Sequence, residues 1–142
     1  MADGAFDSEP RRVFKSDVLV MLERTTDELS AIHALWPRFE RRVGLRGRKM
    51  YALVDVSAGS YATCTPVKPE DDPGALGLDI GVLPGGWYLV ARIVGEPPAL
   101  YDRIAPAMTA LIGLAAVDRA RPQVEFYRRY DQVELWSPVH AE

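Results

Sequence analysis

The sequence has few of the residues from which many small proteins build covalent or metal-bound structures. Its 142 residues include one cysteine, Cys64, and two histidines, His33 and His140, which lie far apart in the chain. A single cysteine excludes an intrachain disulfide and a zinc site built on cysteines. We therefore expect no metal ion and no other cofactor, and we interpret Cys64 as a small buried apolar group.

Strong charge of one sign and long apolar runs are also absent. The formal net charge is -3, whereas a nucleic-acid-binding module usually carries a basic face. No stretch has the length and apolarity of a membrane span, and none has the pattern of a secretory signal. These absences argue against direct binding of nucleic acid and against a membrane partner, and they favour a cytoplasmic protein.

What remains is a globular composition, 48% hydrophobic and 26% charged, in which strand and helix patterns alternate. Residues 13–24 predict a long first strand. Thr25 and Glu28 are spaced as a capping box, and they precede a helix whose apolar stripe includes Trp36. Pro37 lies inside that stripe and predicts a kink or a restart. A second helix and two final strands are predicted at the end of the chain, after strands over residues 50–56, 61–67, 76–83 and 87–94.

The order strand, helix, strand, strand occurs twice, over about residues 13–67 and 76–139, with a polar connector between them. Neither half would bury a one-sided sheet well alone. We therefore predict a single α+β domain over residues 13–139, in which an antiparallel sheet carries helices on one face and a ligand groove on the other. Residues 1–12 are predicted to be a flexible lead-in.

The last two predicted strands carry acidic and aromatic side chains at alternate positions. Glu125 and Tyr127 share one face of the first strand, and Glu134 and Trp136 share one face of the second, because successive side chains alternate. We interpret the four as one side of the hairpin, suited to a flat, apolar or cationic small molecule. Periodicity leaves open the alternative of a hairpin whose charges lie in solvent.

Three separated motifs occur in a characteristic order: Pro84-Gly-Gly-Trp-Tyr-Leu-Val-Ala-Arg-Ile-Val-Gly95, Pro122-Gln-Val-Glu-Phe-Tyr127 and Glu134-Leu-Trp-Ser-Pro-Val139. Together they resemble the GyrI-like (gyrase-inhibitor-like) effector-binding family, whose domain is also the ligand-sensing part of many AraC-type and MerR-type regulators. The resemblance spans about residues 13–139. It implies tandem strand–helix–strand–strand modules that bind aromatic, often cationic compounds beside a buried glutamate and aromatic rings.

The resemblance also implies which side chains form the ligand site. Three parts of this chain match the site of the family: the Pro-x-x-Glu-x-Tyr element, the last strand before Pro-Val and the tyrosine after the glycine turn. Trp36, from the first predicted helix, belongs either to the core or to the groove. The ligand-binding residues are thus expected to be Glu125, Tyr127, Glu134, Trp136, Tyr88 and Trp36.

Three functions stay open at this point. The first is a stand-alone protein that senses or sequesters planar, apolar or cationic compounds, with no catalytic residue assigned. The second is a hydrolase of electrophilic, cyclopropane-bearing natural products, an activity found among similar folds, for which the catalytic residues would be Glu125, Glu134 and Tyr127. The third is an inhibitor of a partner protein, and a homodimer is also left open.

Two features depart from the family pattern. No helix-turn-helix segment precedes the domain in this sequence, so we do not expect it to bind DNA as a self-contained regulator. Many members also place a histidine just before the glycine that closes the fifth predicted strand. Ile93 and Val94 stand there in this chain, which makes that part of the expected pocket more apolar.

Overall fold

In the computed structural model, which describes residues 4–141, one antiparallel sheet carries helices on one of its faces. The predicted α+β class is therefore confirmed. None of the helices in this range is long and apolar enough to cross a membrane. In chain order the elements are β1 (Arg11–Lys15), β2 (Val18–Thr26), α1 (Leu29–Val43), β3 (Met50–Asp55), β4 (Ser60–Pro66), β5 (Asp79–Leu83), β6 (Gly86–Val94), α2 (Ala99–Asp102), α3 (Ile104–Ile112), β7 (Gln123–Arg129) and β8 (Gln132–Pro138).

The order of strands across the sheet is β1-β6-β8-β7-β3-β4-β2-β5. Exchanging each of β1 to β4 with the strand four places later in the chain reverses this order and leaves it otherwise unchanged. The predicted tandem duplication is thus present in the strand pairing, and its seam runs between β3 and β7. The first strand of each half pairs with the opposite half, since β1 pairs with β6 and β5 pairs with β2.

Four elements differ from the sequence prediction. The strand predicted over residues 13–24 is two strands, because the chain turns at Ser16 and Asp17 between β1 and β2. The strand predicted over residues 76–83 begins only at Asp79. The predicted second helix is divided at Arg103 into α2 and α3. Helix α1 continues through Pro37 without a restart, since a proline removes only one backbone donor from the helix ladder.

Part of the predicted lead-in is bonded to the sheet. The backbone N–H of Asp7 donates to the carbonyl of Arg92 over 2.8 Å, and its carboxylate accepts from the backbone N–H of Val94 over 2.7 Å. The Ser8 hydroxyl accepts from the N–H of Arg92 over 2.9 Å. The carboxylate of Asp7 also pairs with Arg103 over 3.0 Å. The chain before β1 therefore lies along the end of β6.

The two faces of the sheet are buried in different ways. On one face, α1 contributes Leu35 and Phe39 to the core, and α3 contributes Leu111. On the other face no helix is needed, because the sheet curls. Leu83 of β5 and Tyr88 of β6 belong to one buried cluster, although these strands lie near opposite ends of the strand order. Burial of apolar surface on both faces stabilises the fold.

The turn between β5 and β6 lies against the turn between β1 and β2. The backbone N–H of Gly85 donates to the carboxylate of Asp17 over 2.6 Å. A Cβ atom at Gly85 would lie 2.6 Å from the carbonyl oxygen of Lys15 and 2.7 Å from the backbone nitrogen of Asp17. Only glycine allows this close approach of two backbones. The fold therefore requires a glycine at this position of the sequence motif.

Candidate functional site

A groove of about 1120 Å³ lies between α1 and α3, with β3, β4 and β7 contributing to its floor. It is on the helix-covered face, so the groove predicted on the opposite face is misplaced. The reason is the position of the helices. Helix α1 contacts β2 and β4, and α3 contacts β6 and β8, so the β3–β7 seam stays open between them. The opposite face is filled by the curled sheet's own side chains.

Glu125 of β7 lies on the floor of this groove. Its side chain is directly opposite Ala52 of β3 and Leu135 of β8, in the middle of the sheet, and the residue is only 8% exposed. One carboxylate oxygen, Oε1, accepts from the Tyr127 hydroxyl over 2.6 Å. Within residues 4–141 the other oxygen, Oε2, has no hydrogen-bond donor, and no cation pairs with the carboxylate.

Burial is the main cause that raises the pKa of Glu125, to about 7, because the charged form loses water without gaining a counterion. The hydrogen bond from Tyr127 lowers this pKa, and the negative charge of Asp27 raises it. The carboxyl group therefore changes its protonation state near neutral pH. A group with such a pKa in a cleft is a candidate functional residue on physical grounds.

Three aromatic side chains surround Glu125. The ring of Trp36 meets that of Tyr127 edge to face, with centroids 4.9 Å apart. The indole N–H of Trp36 donates to the hydroxyl of Tyr61 over 2.9 Å. Burial and the charge of Glu125 raise the pKa of Tyr127 well above its usual value, and Tyr61 adds to this effect, so the two hydroxyls are neighbours. These contacts hold the rings in fixed orientations around the carboxylate.

The mouth of the groove carries a further aromatic ring and further carboxylates. Tyr101 of α2 is 47% exposed, and its ring centroid lies 6.3 Å from that of Tyr127. Asp27, which precedes α1, and Glu40, near the end of α1, also line the groove. Sequence reasoning did not identify Tyr61, Tyr101, Asp27 or Glu40 as site residues. Glu40 could have been predicted from the sequence, because it follows Trp36 by four residues and so shares its helix face.

The structure brings three of the expected site residues together and places the other three elsewhere. Glu125, Tyr127 and Trp36 line the groove. In the paired strands, Val124 lies opposite Trp136 and Phe126 lies opposite Glu134. Opposed residues point to the same face, so Trp136 and Glu134 share the face of Val124 and Phe126. The expectation that Glu125, Tyr127, Glu134 and Trp136 form one side of the hairpin is therefore wrong, and Tyr88 also lies in the cluster of the other face.

On that other face Glu134, Trp136, Tyr88 and Lys15 have polar or ring contacts within the protein. The Glu134 carboxylate pairs with Arg128 over 2.9 Å and accepts from the indole N–H of Trp136 over 3.1 Å. The Tyr88 hydroxyl donates to the carbonyl of Pro84 over 2.6 Å, and the Lys15 ammonium lies 4.5 Å from the centre of the Trp136 ring. Glu125 and Glu134 therefore point to opposite faces of the sheet and do not form an acid–base pair.

The sequence matches no family model and no curated protein, but solved structures share its fold. An integron cassette protein of Vibrio cholerae is 19% identical, with a TM-score of 0.75 over 95% of this chain and 97% of that one. The structure of SAV2435 bound to tetraphenylphosphonium is 16% identical, with a TM-score of 0.68 over 94% and 95%. A hydrolase from Listeria innocua is 12% identical, with a TM-score of 0.56 over 96% and 94%.

These likenesses identify the fold. It is the fold of the GyrI-like domain, as the three sequence motifs predicted. What these proteins share with this chain is the fold, and one fold can carry several functions through different sites.

Proposed function

We propose that this protein binds planar, apolar or cationic small molecules in the groove between α1 and α3, in a sensing or sequestering role. The observation that carries the proposal is Glu125. Its side chain is almost fully buried, it faces the groove, and Oε2 lacks a donor within residues 4–141. An ionised carboxylate buried without a counterion costs several kcal/mol as a rough figure. A ligand cation placed at Oε2 would remove that cost.

The aromatic side chains define the shape of the ligand. Trp36, Tyr61 and Tyr127 present rings and ring edges next to Glu125. Such rings bind flat apolar groups by contact and cations through the negative potential of the ring face. An aromatic cation satisfies both the carboxylate and the rings. Support also comes from SAV2435, which has a similar fold and whose structure holds tetraphenylphosphonium, an aromatic cation.

Calorimetric titration with tetraphenylphosphonium at about pH 8 tests the proposal. We expect wild type to bind, and Glu125→Gln to bind at least about tenfold more weakly, because one charge-assisted contact in a buried site contributes about 1.5–3 kcal/mol. Glu134→Gln is the matched control, since it removes the same charge from the opposite face. It should change the affinity by less than about twofold. Equal affinities of wild type and Glu125→Gln would refute the site.

Affinity for the cation should also depend on pH, with a midpoint set by Glu125. Below its pKa of about 7 the carboxyl is protonated, so binding a cation must first release a proton, and affinity falls about tenfold per pH unit. Above that pKa the affinity should become constant. Titrations between about pH 5.5 and 8.5 measure this profile. The profile of Glu125→Gln should be flat, and a flat wild-type profile would contradict the assignment.

Hydrolysis of an electrophilic, cyclopropane-bearing natural product in the same groove is a second candidate. A carboxyl group with a pKa of about 7 beside a tyrosine hydroxyl at 2.6 Å suits general acid–base chemistry near neutral pH. The fold is also shared by a hydrolase from Listeria innocua. Because Glu134 lies on the opposite face, this reaction would use Glu125 and Tyr127 alone. Mass analysis after incubation with a cyclopropane-bearing alkylator tests it, and no water adduct above the level of Glu125→Gln would end it.

A further inference from the structure

The groove is larger than one small cation requires. Its volume of about 1120 Å³ exceeds the range of about 300–1,000 Å³ that is usual for pockets of drug-sized ligands. The groove also extends along α1, since residues before the helix, in its middle and near its end all line it. Trp36, which contacts the tyrosines beside Glu125, lies in the middle of α1, so the groove continues past it toward both helix ends.

Glu40 marks a second place in the groove with the same combination of groups as the first. Its side chain is half-buried, and within the described chain its carboxylate makes no hydrogen bond and no ion pair. Burial raises the pKa of Glu40. Glu40 and Tyr101 both line the groove, and the charge of Glu40, after burial and the charge of Tyr130, is a cause that raises the pKa of Tyr101.

The two places are separate but close. Trp36 and Glu40 are four residues apart on α1, which puts them on one helix face and about 6 Å apart along its axis. The Trp36 ring contacts Tyr127, whose hydroxyl binds Glu125. Tyr101 continues the row of rings at 6.3 Å from Tyr127. A carboxylate and a ring thus occur twice along the groove, once on its floor and once at its mouth.

Three arginines line the groove within residues 4–141, and none of them pairs with Glu40 or Glu125. Arg48 forms a two-point ion pair with Asp71, at 2.7 and 2.6 Å. Arg119 and Arg129 are exposed, and among residues 4–141 neither pairs with Glu40 or Glu125. The two carboxylates are therefore available to a ligand. Asp27 is the third carboxylate of the groove, but it is exposed, and water screens exposed charges.

We infer that the groove binds dications, compounds with two cationic groups joined by an apolar spacer, with one group at Glu125 and the second at a subsite formed by Glu40 and Tyr101. This inference rests on the proposed function and specifies its ligand class. A quaternary or protonated amine at the second subsite would be attracted by the Glu40 carboxylate and by the ring of the partly exposed Tyr101. The row of rings between the two subsites would contact the spacer.

A matched series of probes tests the inference at about pH 8, above the pKa of Glu125. Bis(trimethylammonio)alkanes with spacers of about four to ten methylene groups are compared by calorimetry with alkyltrimethylammonium ions of the same length. We expect the best dication to bind about tenfold more tightly than its matched monocation. A cation that contacts one partly buried carboxylate and one aromatic ring gains about that much affinity. We also expect an optimum in spacer length, because the subsites are a fixed distance apart.

Four variants assign the second cation to its subsite. Glu40→Gln should remove the dication's advantage and leave monocation affinity within about twofold, whereas Glu125→Gln should weaken both probes. Asp27→Asn tests the third carboxylate, and Glu96→Gln is the control, an exposed glutamate outside the groove. Neither of these two variants should change the ratio of dication affinity to monocation affinity. Equal affinity of dication and monocation, or loss of the advantage in Asp27→Asn instead of Glu40→Gln, would overturn the second subsite.

The outcomes also separate this inference from the proposed function. If monocations and tetraphenylphosphonium bind through Glu125 but dications gain nothing, the proposed function stands and the second subsite falls. If neither tetraphenylphosphonium nor any probe of the series binds, the proposed function fails and the dication site fails with it.

Discussion

Two glutamates of the last hairpin have different surroundings because they lie on opposite faces of one sheet. Glu125 and Glu134 lie on adjacent strands, yet they point to opposite sides. Glu134 has an arginine and an indole N–H as partners. Among residues 4–141 Glu125 has one partner, the hydroxyl of Tyr127, and burial raises the pKa of Glu125 to about 7. On the curled face Glu134 is paired within the protein, whereas on the groove face Oε2 of Glu125 has no donor among residues 4–141.

The difference teaches that aromatic side chains beside a carboxylate do not by themselves indicate a binding site. Glu134 also has rings nearby, including Trp136 and Phe126. What distinguishes Glu125 is that no cation of residues 4–141 pairs with it and that it faces the open groove. A buried carboxylate is informative about function when its unpaired oxygen faces a cavity.

The largest expected effect is an opposite response of stability to neutralising the two glutamates. Because the folded-state pKa of Glu125 is raised from 4.5 to about 7, its stabilising contribution is full below 4.5 and is lost as the pH rises through 7. At about pH 8.5 the loss is about 3 kcal/mol. Glu125→Gln should therefore raise the free energy of unfolding by up to about 3 kcal/mol there and by less than about 1 kcal/mol at about pH 5, measured by urea denaturation without ligand.

Glu134→Gln is the internal comparison for that experiment. It removes an ion pair whose arginine is largely solvated, with a side chain 47% exposed, so it should lower the free energy of unfolding by about 1 kcal/mol or less. A stability gain in Glu134→Gln, or none in Glu125→Gln at high pH, would show that the two carboxylates do not differ as described.

A smaller effect is expected from Tyr127→Phe, which removes the donor to Oε1 of Glu125. That hydrogen bond favours the charged carboxylate, so its loss should raise the pKa of Glu125 further and move the midpoint of cation binding to higher pH. The free energy of unfolding at about pH 8.5 should fall by about 1–3 kcal/mol. Tyr130→Phe removes an exposed hydroxyl of the same hairpin and should leave the midpoint in place. A midpoint that does not move in Tyr127→Phe would contradict the coupling.

The smallest effect is expected from Arg128→Ala, which takes the partner from Glu134. The pair is solvated on its arginine side, so the free energy of unfolding should fall by less than about 1 kcal/mol. Titration of this variant with tetraphenylphosphonium at about pH 8 should give the wild-type affinity, because Arg128 is not part of the groove. A clear change in affinity would mean that the two faces are coupled.

The sequence predicted alternation within each strand correctly, and it could not predict how the strands face each other. Glu125 and Tyr127 do share a face, as do Glu134 and Trp136. The error lay in the register between the strands, which depends on the irregular pairing between Phe126 and Arg129. A shift of one residue moves a whole strand to the other face, and local periodicity carries no information about it.

The helix pattern was more informative about the site than the strand pattern. The stripe of α1 includes Trp36, and the same spacing extended by one turn reaches Glu40. Tyr61 was not predictable in this way, since its role depends on the pairing of β3 with β4, which sets Tyr61 opposite Val54. The order of elements predicted the fold class, but the position of the groove depends on where the helices sit across the sheet, and that is a tertiary property.

The reciprocal pairing of first strands has a mechanical consequence. The halves of the molecule are joined at β1–β6, at β5–β2 and at β3–β7. Spreading the floor of the groove would break the β3–β7 row of backbone hydrogen bonds, while β1 and β5, each paired in the opposite half, would keep the two halves linked. We therefore expect a ligand to enter past side chains at the rim, such as Tyr101, over a floor of hydrogen-bonded strands.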